Sequence, residues 1–162
     1  MSNHKILLVA VENHGMALMF AEGCNDMGVV MTAVNNEGYA LEYASETLKG
    51  DRAIVMAALK NNGFALQFAS VALQDDRYIV MAAVNDEGRA LEYASWNGDR
   101  AIVMAAVEND GWALKYASPR LRQDTGVVMA AVKNNGRALK FADKILQENP
   151  LIVLIAVTNN GR

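Results

Sequence analysis

Few side chains in this sequence are of a kind that does chemistry unaided, and their spacing limits what each could do. His4 and His14 stand ten residues apart, and Cys24 is the single cysteine. A nucleophile needs a base within hydrogen-bond reach and a third group to orient that base. No Ser/His/Asp or Cys/His set clusters or repeats here, and His14 occupies a slot that elsewhere holds Glu37, Asn62 or Asp110. Carboxylates are numerous, yet no pair stands apart from the regularly spaced ones as an acid and a base would. A phosphate-cradling glycine loop ending in Lys-Ser/Thr and a His-Glu-x-x-His zinc helix are both missing. One cysteine excludes a disulfide framework and a multi-cysteine zinc site. The expectation is therefore no catalytic residue, no metal, no cofactor and no enzyme.

Two columns of identical residues invite a chemical reading. Met31, Met56, Met81, Met104 and Met129 would form a soft-metal or cofactor ladder, or else a stack of flexible core fillers. The filler reading is preferred, because Leu8 and Leu154 hold the same slot. Asn13, Asn36, Asn61, Asn109, Asn134 and Asn159, with Asp86 as a variant, would form a hydrogen-bonded ladder, or each would close the end of its own helix. The local role is the expected one.

Both columns belong to a repeat. An Asn/Asp-x-Gly signature places glycine at 15, 38, 63, 88, 111, 136 and 161, with spacings of 23, 25, 25, 23, 25 and 25 residues. The triplet of spacings occurs twice, so the chain also repeats every 73 residues. Twelve residues before each glycine stands Asn3, Asp26, Asp51, Asp76, Asp99, Asp124 or Asn149. Short acceptors at such a position cap the free N–H groups of a helix's first turn, and Pro150 after Asn149 suits the first helical position. A run such as Ile54-Val55-Met56-Ala57-Ala58-Leu59 follows, apolar on every side, which predicts a first helix buried all round. Glycine is then expected to end it in a left-handed turn.

The second segment reads x-Ala-Leu-x-aromatic-Ala-Ser, as in Tyr39–Ser45. At 100° per residue its Ala, Leu and aromatic positions share one side, which predicts an amphipathic helix of roughly eight to ten residues. Helices this short need neighbours for stability. The expected fold is all-α: one continuous helical-repeat domain over 1–162, a right-handed α-solenoid of about six and a half helix pairs of 23–25 residues. The two 23-residue units lack the late Leu (Leu48, Leu73, Leu121, Leu146), and a bend or exposed groove is expected at each.

The informative positions vary while this scaffold stays constant. Residues one, four and eight after the glycine share the face opposite the dry one, and they include Met16, Met19, Tyr39, Phe64, Arg89, Trp96, Trp112, Lys115, Arg137 and Lys140. Those types anchor interfaces. Tyr39, Phe64 and Trp112 fit equally well as rings folded back onto the preceding helix. Charge is uneven too: residues 1–81 carry 5 basic and 9 acidic side chains, residues 82–162 carry 10 and 9.

The pattern Asp-Arg-x-Ile-Val-Met-Ala-Ala-Val-x-Asn-x-Gly-x-Ala-Leu-x-Tyr-Ala-Ser, seen best in Asp51–Ser70, Asp76–Ser95 and Asp99–Ser118, resembles the tandem helical repeats of the domain of unknown function 4116 family. The resemblance covers essentially the whole chain. It implies a helical repeat of a kind found in protist, viral and bacterial proteins, including secreted effectors of intracellular pathogens, with no agreed activity or catalytic residue. Delivery into a host cell is an implication of that resemblance alone.

Composition adds exclusions. The 162 residues are 52% hydrophobic and 20% charged, with a net charge of −3 that gives no general attraction to nucleic acid. No apolar run, Leu151–Val157 included, exceeds seven residues, which is too short to span a bilayer, and no signal peptide is expected. A lone cysteine agrees with the cytoplasm. The leading functional expectation is a non-catalytic scaffold that binds a protein or peptide along the variable face. The alternatives are a structural segment that self-assembles into a homo-oligomer through uncapped ends, and an anionic-ligand or nucleic-acid site in the basic last third.

Overall fold

The computed structural model describes residues 3–159, excepting the side chain of Asn3. The last repeat glycine, Gly161, and the capping role expected of Asn3 lie outside what is described. Among the described residues the regular elements are helical, and the chain divides between Asp86 and Glu87 into two compact units. Each unit is an all-α repeat solenoid.

The first helices run Asn3–Asn13, Met27–Asn36, Arg52–Asn61 and Arg77–Asp86 in one unit, and Arg100–Asn109, Thr125–Asn134 and Pro150–Asn159 in the other. The cap signal holds wherever it is described. Asp51 Oδ1 accepts from the backbone N–H of Ala53 and Ile54 at 2.9 and 3.0 Å, and Asp26, Asp76, Asp99, Asp124 and Asn149 act alike. Burial departs from the all-round expectation. Ile54, Val55, Ala58 and Leu59 are buried, whereas Met56 and Ala57 are only half-buried. Met27–Asn36 and Arg77–Asp86 cover two sides of Arg52–Asn61, and its Met-Ala edge is left part-exposed. The methionine column is thus a half-exposed stripe rather than a core stack.

The second segment is shorter and tighter than the 100° reading predicts. Gly38–Tyr43, Gly63–Phe68, Gly88–Tyr93, Gly111–Tyr116 and Gly136–Phe141 are six-residue 3-10 helices. At three residues per turn, side chains three apart eclipse, so Gly38, Leu41 and Ala44 line up and all three are buried. The chain then extends through Ser45, whose hydroxyl caps the four-residue helix Glu46–Lys49. First helices pack on first helices and 3-10 segments on 3-10 segments.

The repeat glycine has a different task from the one expected. Gly23 is the only described residue with a positive φ, and it lies outside the Asn-x-Gly signature. Instead, a Cβ added to Gly38 would sit 2.5 Å from the Ala58 carbonyl oxygen of the next repeat, and Gly15, Gly88 and Gly111 meet Ala33, Ala106 and Ala131 in the same way. Glycine stands there because the last turn of the following first helix presses onto it.

The two short repeats lose the capped four-residue helix and keep the register. Ser70 N–H donates to Lys49 O at 2.9 Å in a long repeat, and Ser45 donates to Cys24 O and Ser118 to Asn97 O at 2.8 and 2.9 Å across the short ones. In each case the acceptor lies two residues before an Asp cap, so the deletion is absorbed upstream of the contact that aligns neighbouring repeats.

Candidate binding cleft

With three residues per turn, positions one and four after the glycine share a face, and position eight does not. Within the second unit this brings Arg89, Trp112, Lys115 and Lys140 around one cleft of about 410 Å³, walled also by Tyr116 and Phe141. Trp112 packs edge-on against Phe141 of the next repeat, with centroids 5.3 Å apart and planes at 64°. Lys140 Nζ lies 4.2 Å from the Trp112 centroid and 4.9 Å from that of Phe141, and Lys115 Nζ lies 5.1 Å from Tyr116. Such cation–ring contacts hold an ammonium in place while leaving its remaining N–H groups to solvent or a ligand.

The charges on the walls are partly committed. Arg89 Nε lies 2.7 Å from Asp110, whose other oxygen accepts from the Trp112 backbone N–H at 2.9 Å. That acceptor fixes the start of the Gly111–Tyr116 segment and hence the Trp112 ring. Burial holds the Tyr116 phenol above its ordinary range, and its hydrogen bond to the Glu92 carboxylate adds to the effect. Tyr116 therefore remains a neutral donor through the physiological range. Lys115 and Lys140 have no carboxylate partner among the described residues.

Other candidates are placed elsewhere. Tyr39 packs edge-on against Phe68 at 5.9 Å, the first unit's counterpart of Trp112 on Phe141, and is 37% exposed. Both rings thus pack on the next repeat while keeping an outer edge in solvent. Phe64 and Met16 are half-buried and Met19 is exposed. Arg137 is exposed beside a separate hollow with Val153 and Val157. Trp96, eight after its glycine, sits half-buried in the turn before Asp99 and does not join the cleft. The 100° pattern puts the aromatics five after the glycine on the dry side, yet Tyr116 and Phe141 are cleft walls. The Gly-x-x-Leu-x-x-Ala spacing, with its period of three, was the available signal for that.

The asparagine column proves to be the ladder rather than a set of local helix ends. Asn61 Oδ1 accepts from Gly38 N–H at 2.7 Å, and its Nδ2 donates to the Asn35 and Asn36 carbonyls at 3.2 and 3.1 Å, all in the preceding repeat. Asn134 makes the same three bonds to Gly111, Glu108 and Asn109. Asn13 instead turns back to its own helix, donating to Val9 O. The histidines also bridge repeats: His4 Nδ1 is 3.3 Å from Asp26, and His14 Nδ1 is 2.5 Å from Glu37.

Stacked, glycine-seated helix pairs with a varied outer face define this as a helical-repeat protein. The family model described as Domain of unknown function (DUF4116) matches five times in tandem, over residues 26–74, 51–98, 76–122, 99–147 and 124–162. Each match opens on one of the capping aspartates and spans most of two repeats, and the chain belongs to that family. No curated protein and no solved structure matches it. No helix among the described residues is long and apolar enough to cross a membrane.

Proposed function

We propose that this protein is a non-catalytic scaffold that binds a peptide segment of a protein partner along the face of its 3-10 segments. One observation carries the reading: the varied positions Arg89, Trp112, Lys115 and Lys140, from three successive repeats, converge on a single ring-lined cleft. Interface energy concentrates in such aromatic and basic anchors. Panning a displayed random-peptide library on the purified protein tests it. Wild type should enrich a consensus, and a Trp112→Ser/Lys140→Ser variant with an unchanged far-ultraviolet spectrum should lose it. Absence of any enrichment on wild type would remove the reading.

A second reading, self-association, is favoured by one observation. On the Pro150–Asn159 helix, Leu151, Leu154 and Val157 are 59%, 61% and 65% exposed. Contiguous apolar patches of that kind mark contact surfaces. Sedimentation across a concentration series, with a Leu154→Glu variant alongside, distinguishes it from a strict monomer.

A further inference from the structure

We infer that the segment this cleft accepts is acidic and extended, with carboxylates three residues apart; the inference rests on the peptide-binding reading above. Lys115 and Lys140 are each four residues after a repeat glycine, so they are equivalent positions on successive repeats. Packed helices stand roughly 8–10 Å apart, and a chain extended in the polyproline-II form advances about 3.1 Å per residue with three residues per turn, so its residues i and i+3 share one face. Carboxylates at i and i+3 would therefore meet the two ammonium groups in turn.

Charge complementarity is the reason for an acidic occupant. Both lysines are exposed, and among the described residues both are held only by rings. The carboxylates nearby are already engaged: Asp110 with Arg89 and the Trp112 N–H, Glu92 with the Tyr116 phenol.

A second hollow of about 310 Å³ shares Phe141 with the first and is lined also by Arg122 and Lys144. Arg122 Nε is buried there and has no hydrogen-bond partner. That N–H is closed to an incoming ligand, so what Arg122 offers the hollow is the positive charge of its guanidinium, which attracts a carboxylate. Asp143 also lines this hollow, but its carboxylate is occupied as the cap of Ile145 N–H and by Gln123. Basic side chains thus line both hollows that Phe141 borders.

Peptide is favoured over single-stranded RNA by the state of the rings. Base recognition needs an open aromatic face, whereas Lys140 lies over both Trp112 and Phe141 and the two rings meet edge-on. A peptide carboxylate engages the ammonium without displacing it.

Fluorescence anisotropy with labelled probes tests the inference. The probes are a peptide of about twelve residues with Glu at every third position in a Gly/Ser background, its Lys counterpart, an isomer with the same Glu residues contiguous, and an oligo-uridylate of similar length. Expected is binding of the spaced-Glu peptide, at least about tenfold tighter than the Lys peptide and tighter than the contiguous isomer and the RNA. It should weaken steeply as salt rises from about 50 to about 300 mM. Lys115→Glu/Lys140→Glu, and the milder Lys115→Gln/Lys140→Gln, should abolish it with helicity intact, while Lys60→Glu on the other unit leaves it unchanged. Tighter binding of the RNA or of the contiguous isomer, or indifference to the paired lysine substitutions, overturns the inference. If the displayed library yields a consensus lacking acidic residues, this inference fails and the peptide-binding reading survives; if it yields none, both fail.

Discussion

Asn61 shows how one side chain can join two repeats. It spends both amide functions on the preceding repeat, closing the last-turn carbonyls of one helix and the first N–H of the next segment. Asn61→Asp keeps the acceptor, loses both donors and adds negative charge at a helix C-terminus, where the dipole already is negative. We expect it to cost about 1–2 kcal/mol in chemical denaturation, close to Asn61→Ala, because lost donors outweigh the retained acceptor. The chain contains its own instance: Asp86 accepts from Gly63 N–H at 2.7 Å, yet its side chain has no N–H to give. The column itself was evident in the sequence. Its partners were not, since a helix-end asparagine reaches its own carbonyls and those of a neighbour equally well along a one-dimensional pattern.

At the scale of the element, Gly38 and Leu41 are buried together in their 3-10 segment. Gly38→Ala should destabilise by about 1–3 kcal/mol, the usual cost of overpacking, because the Ala58 carbonyl oxygen would have to retreat. Gly23→Ala should also destabilise, for another reason: φ is 75° there with open space around it, so the strain is in the backbone. Thermal melts of the two variants, with Gly23→Asn alongside, separate the causes. Asparagine should recover part of the loss at 23, where only the left-handed region is at issue, and a bulky substitution at 38 should not be tolerated at all. The first helices were legible to the residue at several ends, Pro150–Asn159 among them. The second segments were not, because Ala, Leu and an aromatic within five residues satisfy a period of 3.6 nearly as well as a period of 3.

For the whole molecule, stability is a sum over stacked neighbours. Ile102 is fully buried whereas Ile6, in the same slot of its repeat, is 54% exposed. Ile102→Ala should cost about 2–5 kcal/mol and Ile6→Ala about 1 kcal/mol or less, in proportion to the apolar area each keeps from water. Acid should act through the paired caps. Arg52 holds the Asp76 carboxyl below its ordinary range, chiefly by hydrogen bonding, and Arg100 does the same for Asp124. A depressed folded pKa gives stability that is complete above the unfolded value of about 3.9 and is lost as pH falls through the folded one. Melting temperature should therefore be flat near neutrality and fall as pH drops below about 4, with Asp76→Asn/Asp124→Asn reducing that slope. These pairs are partly exposed, so salt should weaken the effect.

By itself the sequence determined the repeat length, the Asp-capped first helices and the residues free to vary, because capping and apolar periodicity are local properties that each unit of 23–25 residues carries in full. Tertiary structure alone decided three matters: the pitch of the second segment, the target of each asparagine, and the union of Arg89, Trp112, Lys115 and Lys140 with two rings of the expected dry side. All three depend on the adjacent repeat. The carbonyl seated on each repeat glycine and the packing of Trp112 on Phe141 are contacts between repeats, which the residues of one repeat alone do not specify.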